Sequence, residues 1–342
     1  MKAVVINRHG GSEVLELTEL PDPSIKENEV LVRVKACALN HLDVWVRKGL
    51  PGIEFPMPHV LGSDIAGVVE ATGSLVNSVR PGQEVVLSPG VSCMHCWFCL
   101  SGRDNLCASY DILGYRADGG YADYVKAPSF NVIPKPDNLT FEEASSIPLV
   151  FLTAWHMLRE RVNLKAGETL LVHAAGSGVG SAAIQIGKLL GARVFATAST
   201  DSKLDKARTL GADETINYGQ EDFLDAVRRL TAKRGVDVVF EHTGEATWEK
   251  SVRSLARSGR LVTCGATSGF KGNLDIRYLF SRQISLHGSY MGAKAELVEV
   301  MRFFEDGRLK PVVDRALPLE KAQEAHKAIE DRAQFGKVVL VP

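Results

Sequence analysis

Glu168-Thr-Leu-Leu-Val-His173, running into Ala174-Ala175-Gly176-Ser177-Gly178-Val179-Gly180, decides the fold of this 342-residue chain. A short apolar run closed by small residues reads as a buried strand that ends in a tight turn. Beyond the turn, Val179, Ala182, Ala183, Ile186 and Leu190 recur at helical spacing, and Gly191 stops the helix. A second strand is expected at Arg193–Ala198, then a polar helix from Lys203 to Leu210. Strands at Val236–Glu241 and Arg260–Cys264 follow, with a helix Ala246–Ala256 between them. Alternation of strand and helix at this spacing predicts a parallel sheet covered on both faces.

Toward the N-terminus the texture changes. Val4–Ile6, Val30–Val34, Ile65–Val69 and Glu84–Leu87 are short β-type runs bounded by Pro21-Asp22, Pro81-Gly82 and Pro89-Gly90. They predict a barrel-like β domain with few helices. The tail carries helices Ala293–Glu305 and Leu319–Glu330 and a strand Lys337–Val341. The expected organisation is therefore residues 1–150, residues 151–288 and a tail 289–342.

Lys plus Arg (40) balance Asp plus Glu (41), which argues against nucleic acid or an anionic membrane as partner. Hydrophobic residues at 45% and charged residues at 24% fit a soluble globular chain. The most apolar stretch, Ile147–Leu158, falls short of the ~20 residues that span a bilayer. Lys2, Asn7, Arg8 and His9 interrupt any signal-peptide core, so a cytoplasmic location is expected.

The strand–turn–helix unit is the setting of a dinucleotide site, where backbone amides and a helix N-terminus meet a pyrophosphate. The strict G-x-G-x-x-G pattern is absent: Ala175 and Ser177 stand where its first two glycines would be. The second strand ends Ala196-Thr-Ala-Ser-Thr200 without the carboxylate that takes a ribose 2′-hydroxyl. Ser199, Thr200, Ser202 and Lys203 suit a 2′-phosphate, which favours NADP(H) over NAD(H); Asp201 and Asp205 weigh the other way. These polar residues also suit capping of the next helix.

Cys93-Met-His-Cys96-Trp-Phe-Cys99, with Cys107 eight positions on, places four thiols within fifteen residues. Such softness and spacing favour one tetrahedral zinc, with disulfides or an iron–sulfur cluster as competing readings. Four sulfur ligands leave no open coordination position, so this zinc, in a lobe spanning residues 88–110, is structural.

Together these residues resemble the medium-chain dehydrogenase/reductase family, the zinc alcohol dehydrogenases and quinone oxidoreductases. The resemblance spans nearly the whole chain, through Glu29-Val-Leu-Val-Arg-Val-Lys-Ala36, Gly62-Ser-Asp-Ile-Ala-Gly-Val-Val69, the cysteine lobe, Gly119-Gly-Tyr-Ala-Asp-Tyr124, Leu210-Gly-Ala-Asp213 and Gly336-Lys-Val-Val-Leu340. It implies a GroES-like β-barrel catalytic domain, a Rossmann coenzyme domain, a C-terminal return to the barrel, and a small carbonyl substrate between the domains. It further implies a homodimer or homotetramer, formed through the edge strand near Ile284–His287. For the coenzyme it implies contacts from His41, Thr153, Gly176, Ser177, Gly178, Val179, Gly180, Tyr218, Cys264, Gly265 and Ala266, with Lys337 reaching the pyrophosphate.

At the catalytic-zinc positions the chain departs from the alcohol dehydrogenases. Asn40, Ser63 and Leu149 replace the metal ligands, and Leu42 replaces the hydroxyl relay. Asn40, Asp43 and Trp45 resemble the quinone oxidoreductase branch, and with Asp64 they form the candidate catalytic set. Three functions are expected in turn. The first is metal-free hydride transfer to an enone, quinone or related carbonyl. The second is an alcohol dehydrogenase with an atypical zinc site built from Asp64 with His41 or His59. The third is dinucleotide binding with little turnover.

Overall fold

A computed structural model describes residues 1–342. The chain divides into two compact units, Met1–Leu149 with Ala293–Pro342, and Val150–Gly292. No helix is long and apolar enough to cross a membrane.

The first unit begins with β1 (Lys2–Ile6), β2 (Leu15–Glu19), β3 (Glu29–Ala38), α1 (His41–Lys48), β4 (His59–Val60), β5 (Asp64–Thr72) and β6 (Glu84–Leu87). The cysteine-bearing excursion holds β7 (Gly90–Val91), α2 (Trp97–Leu100) and β8 (Asp111–Ile112); β9 (Tyr124–Pro128), β10 (Val132–Pro134), α3 (Phe141–Ser145) and the start of α4 (Pro148–Trp155) follow. The second unit contains β11 (Thr169–Val172), α5 (Gly178–Leu189), β12 (Arg193–Ala198), α6 (Asp201–Thr209), β13 (Glu214–Asn217), α7 (Phe223–Leu230) and β14 (Val236–Glu241). It is completed by α8 (Glu245–Arg253), β15 (Leu255–Thr263), α9 (Ile276–Arg282) and β16 (Ser285–Gly288). The chain then returns to the first unit as α10 (Lys294–Glu305), β17 (Val313–Pro318), α11 (Ala322–Glu330) and β18 (Lys337–Val341).

The second unit's sheet runs β13-β12-β11-β14-β15-β16, all parallel. Strand order reverses between β11 and β14, and ligands bind at the carboxyl ends of strands at such a switch point. In the first unit, β10-β6-β5-β3-β18-β17 form the main sheet with β9 also on β3, while β2-β1-β4 pair separately. Alternate residues of β3 (Val30, Val32, Val34) enter one core with Val4, Ile6, Ile65, Val85, Val125 and Leu340. The final strand is central here: Val339 and Leu340 pair with Ala38 and Cys37, so residues from opposite ends of the sequence complete one sheet.

Among the boundaries that differ from the sequence expectation, three lie at helices in the later half of the chain. The helix expected at 246–256 ends at Arg253, because Leu255 pairs with Val236 and joins the sheet across a bulge. The helix expected from Lys203 starts at Asp201, since the Thr200 hydroxyl accepts the Lys203 amide and fixes the first turn. Leu319–Lys321 is a 3-10 turn ahead of α11. The expected scarcity of helix in the first 125 residues also meets α1, nucleated by a reciprocal cap: Asp43 accepts the Asn40 amide at 2.7 Å.

A buried polar chain joins α1 to α11. Arg47, fully buried, donates to Glu330 at 2.9 Å and meets Nδ1 of His326 at 3.2 Å, while His326 Nε2 meets the Tyr121 hydroxyl at 3.2 Å. A guanidinium can only donate, so Nδ1 accepts and the single ring proton sits on Nε2. Protonating His326 would place a second N–H against Arg47. Burial, reinforced by Arg47, lowers its pKa to about 3. The unfolded ring titrates near 6.5, so this contribution is complete above that pH and is lost as pH falls toward 3. Asp43 opposes it, since burial raises its pKa to about 6 and its protonation favours the fold below that. We expect the unfolding midpoint to drop on going from pH 7 to pH 4. A His326→Gln variant should show a shallower drop, measured by thermal denaturation across that range; equal slopes would remove His326 from the account.

Candidate active site

Asn40, Asp43, Asp64 and Lys337 are brought together inside the first unit. Asp64, fully buried at the start of β5, accepts the Leu149 amide on one oxygen at 2.8 Å. Its other oxygen accepts Asn40 Nδ2 and Lys337 Nζ, each at 2.9 Å. Lys337 also donates to Asn40 Oδ1 at 2.6 Å. Asp43 supports the group from below, accepting the amides of Asn40 (2.7 Å) and Gly62 (3.2 Å). Gly62 sits at φ +103°, and a Cβ there would lie 2.5 Å from the Tyr121 ring.

The cluster fixes the Asn40 amide. Its oxygen faces an ammonium and one N–H faces a carboxylate, so the group cannot flip, and its second N–H is left to donate. Lys337, which the resemblance assigned to the coenzyme pyrophosphate, instead has its ammonium on Asn40 and Asp64 and is only 4% exposed. Ser63, read from sequence only as a lost metal ligand, carries a fully buried hydroxyl without a hydrogen-bond partner. Trp45 is half-buried with its ring edge-on to His41, centroids 5.0 Å apart. His59 turns away from Asp64: its ring nitrogens meet the Gly114 carbonyl and the Asp118 carboxylate.

In the second unit, Ser177 caps α5 by accepting the Gly180 amide at 2.9 Å. A Cβ on Gly180 would come within 2.5 Å of the Ala174 carbonyl, so the turn tolerates no side chain there. The amides of Gly178 and Val179 open the helix N-terminus, a cradle suited to a pyrophosphate. Thr153 is 5% exposed with an unpartnered hydroxyl. Cys264, Gly265 and Ala266 follow β15 at the carboxyl edge of the sheet, and Gly176 lies buried in the turn. Beyond β12 and β13, Ser199 and Tyr218 are exposed, and Thr200 is engaged as the cap of α6 beside Lys203. Asp201 is drawn aside by Asn217 (2.7 Å) and Gln220 (3.3 Å).

The four cysteines of the lobe converge, with all Sγ atoms within 4.8 Å of one another. Cys96 and Cys99 lie 3.5 Å apart, Cys93 and Cys99 3.8 Å. A tetrahedron with Zn–S bonds near 2.3 Å has edges of about 3.8 Å, so the donor set fits zinc. Lys294 anchors the lobe to the head of α10: its amide donates to Asp104 and its ammonium to the Gly90 carbonyl, both at 2.9 Å. Cys99→Ser is expected to lose the zinc and lower the unfolding midpoint by roughly 5–10 °C, read by elemental analysis and calorimetry. Full zinc content in that variant would show the ion to be held elsewhere.

Two family models match the chain: the alcohol dehydrogenase GroES-like domain over residues 26–137 and the zinc-binding dehydrogenase domain over residues 178–306. Human quinone oxidoreductase is 29% identical, covering 100% of this chain and 98% of its own. A crystal structure of an NAD-dependent alcohol dehydrogenase superposes with a TM-score of 0.97 at 52% identity, each chain covered in full. The 2-octenoyl-CoA carboxylase reductase CinF, solved with NADP and 2-octenoyl-CoA, superposes with a TM-score of 0.90 at 32% identity, covering 96% of this chain and 82% of that one. The zinc-fitting thiol lobe, the GroES-like β unit and the Rossmann sheet with its small-residue turn agree with these matches, and the chain belongs to the medium-chain dehydrogenase/reductase family of NAD(P)-dependent oxidoreductases.

Proposed function

We propose that the protein reduces a carbon–carbon double bond conjugated to a carbonyl, or a quinone, with NADPH and without a catalytic metal. The observation that carries this is the Asn40–Asp64–Lys337 cluster. Asp64, the carboxylate an atypical zinc site would need, already accepts three donors, one of them an ammonium. A zinc ion there would have to displace Lys337 or stand beside it, and Asn40, Ser63 and Leu149 supply no thiolate or imidazole.

The energetics separate the two reactions. Zinc lowers the pKa of a bound water by roughly nine units, about 12 kcal/mol, and gives an alcohol comparable help. A preorganised neutral donor is worth about 3–4 kcal/mol toward an oxyanion. That falls short for an unactivated alcohol and is useful for an enolate. The bound coenzyme supplies the hydride. It adds to the β-carbon, electron density moves to the carbonyl oxygen, and the α-carbon takes its proton from water, leaving the oxidised coenzyme. The free N–H of Asn40 steadies that oxygen, and Lys337 and Asp64 keep the amide oriented. CinF binds NADP and an enoyl thioester, which supports this substrate class.

NADPH is favoured because Ser199, the residue after β12, is not a carboxylate and because Asn217 and Gln220 hold Asp201 back. We infer a homo-oligomer through β16, which pairs with β15 alone and so leaves one edge open. The 52% identity to an NAD-dependent alcohol dehydrogenase favours a second reading, alcohol oxidation.

Steady-state assays of enones, quinones and enoyl thioesters with NADPH, set beside primary and secondary alcohols with NAD(P)⁺, distinguish the two. The expected result is turnover of the first set, one zinc per chain, and a loss of about 10²-fold in kcat/KM for Asn40→Ala. Fast alcohol oxidation abolished by a chelator, with two zinc ions per chain, would overturn the proposal. Ser199→Asp should raise KM for NADPH at least about tenfold relative to NADH, by repulsion of the 2′-phosphate.

A further inference from the structure

Glu241 ends β14 at the switch point of the Rossmann sheet, fully buried, and no part of the reaction so far uses it. A carboxylate there must be fully hydrogen-bonded to persist. One oxygen accepts three consecutive backbone amides, His242 at 2.9 Å, Thr243 at 2.6 Å and Gly244 at 3.2 Å. The other accepts the hydroxyls of Thr247 (2.9 Å) and Ser251 (2.7 Å) from α8, with His173 Nε2 at 3.8 Å. Burial alone would raise its pKa; the hydroxyl and amide donors hold it below the ordinary carboxylate value.

Two coenzyme-facing segments are built on this anion. The 242–244 turn that it folds carries the segment after β15. The Thr243 carbonyl accepts the Ser268 amide and hydroxyl, each at 2.7 Å, and the Glu245 amide donates to the Gly269 carbonyl at 3.2 Å. Gly244, at φ +93°, packs so closely that a Cβ would sit 2.8 Å from Ala266 Cα. On the opposite side, Ser251 bridges Glu241 to His173, whose Nδ1 meets the Thr197 hydroxyl at 3.3 Å and whose carbonyl meets His242 Nε2 at 2.9 Å. His173 is the residue immediately before the glycine-rich turn, and Thr197 also accepts the Ala174 amide that opens it.

We propose that Glu241 is a positioning residue for the coenzyme: one buried carboxylate sets both the small-residue turn for the pyrophosphate and the Cys264–Gly269 segment for the nicotinamide. It acts as an internal anion that satisfies the amides of the 242–244 turn, which would otherwise lack partners. The loops are thereby held in a binding-ready form, so the coenzyme does not have to order them on arrival.

The test uses the zinc-loaded full-length protein with Glu241→Gln, Thr247→Val and Ser251→Ala, and NADPH as the probe. Direct fluorescence titration keeps the outcome independent of which substrate the enzyme reduces. Glu241→Gln keeps one oxygen for the amide nest and removes the charge. It should weaken NADPH binding about 10- to 100-fold and raise coenzyme KM more than it lowers kcat, while the unfolding midpoint stays within a few degrees. Thr247→Val and Ser251→Ala, each removing one of five close donors, should shift affinity the same way by less. Unchanged NADPH affinity in Glu241→Gln would overturn the proposal. So would a Glu241→Gln chain that fails to fold while Thr247→Val and Ser251→Ala bind NADPH like the parent, since that pattern marks a purely structural role.

Discussion

The ion pair between Lys337 and Asp64 is the constraint on which the first unit turns. Both groups lie almost wholly out of water, 4% and 0% exposed, at 2.9 Å. A buried pair recovers its desolvation cost only when the remaining valences are satisfied. Here Asn40 and the Leu149 amide complete the carboxylate's partners, and Asn40 Oδ1 takes a second ammonium hydrogen. Removing one member would strand a buried charge, a loss of about 3–5 kcal/mol. Asn40 is therefore held by an electrostatic arrangement that the fold cannot relax locally.

That arrangement is assembled late in the chain. Lys337 opens β18, which inserts between β3 and β17, so the cation at the start of β5 comes from a strand some 270 residues downstream. The C-terminal return is thus as much a part of the first unit as α1. The positive charge on the Asp64 carboxylate is a covalently tethered ammonium with a fixed address.

Local signals in the sequence carried the second unit and the metal lobe. The run Thr169–Val172, the small residues to Gly180 and the helix to Leu189 lie where strand periodicity and helix spacing place them, because parallel strands are buried on both faces and read as continuous apolar runs. Cys93, Cys96, Cys99 and Cys107 were legible for the same reason: all four ligands fall within one short excursion. What escaped is non-local. Nothing near Lys337 in sequence announces Asp64, and nothing near Arg47 announces His326. Ser63 was visible only as a missing ligand, and its orphaned hydroxyl becomes apparent once burial is known. Glu241 did leave a trace, an acid closing the apolar run Val-Asp-Val-Val-Phe, yet alternation alone cannot tell a buried carboxylate from a strand end meeting solvent.

Asp43 and Glu241 show one device used independently in each unit. Asp43 accepts the amides of Asn40 and Gly62; Glu241 accepts those of His242, Thr243 and Gly244. In both cases a buried carboxylate absorbs backbone donors at the end of a regular element and so freezes the loop that presents a functional group. A hydrophobic side chain of equal volume would leave those amides unpaired at about 1–3 kcal/mol each, and a neutral amide would give up the charge assistance that makes such bonds roughly twice as strong. The burial cost of each acid is then the condition for a rigid loop. This accounts for why the two segments rest on acidic residues that never reach solvent.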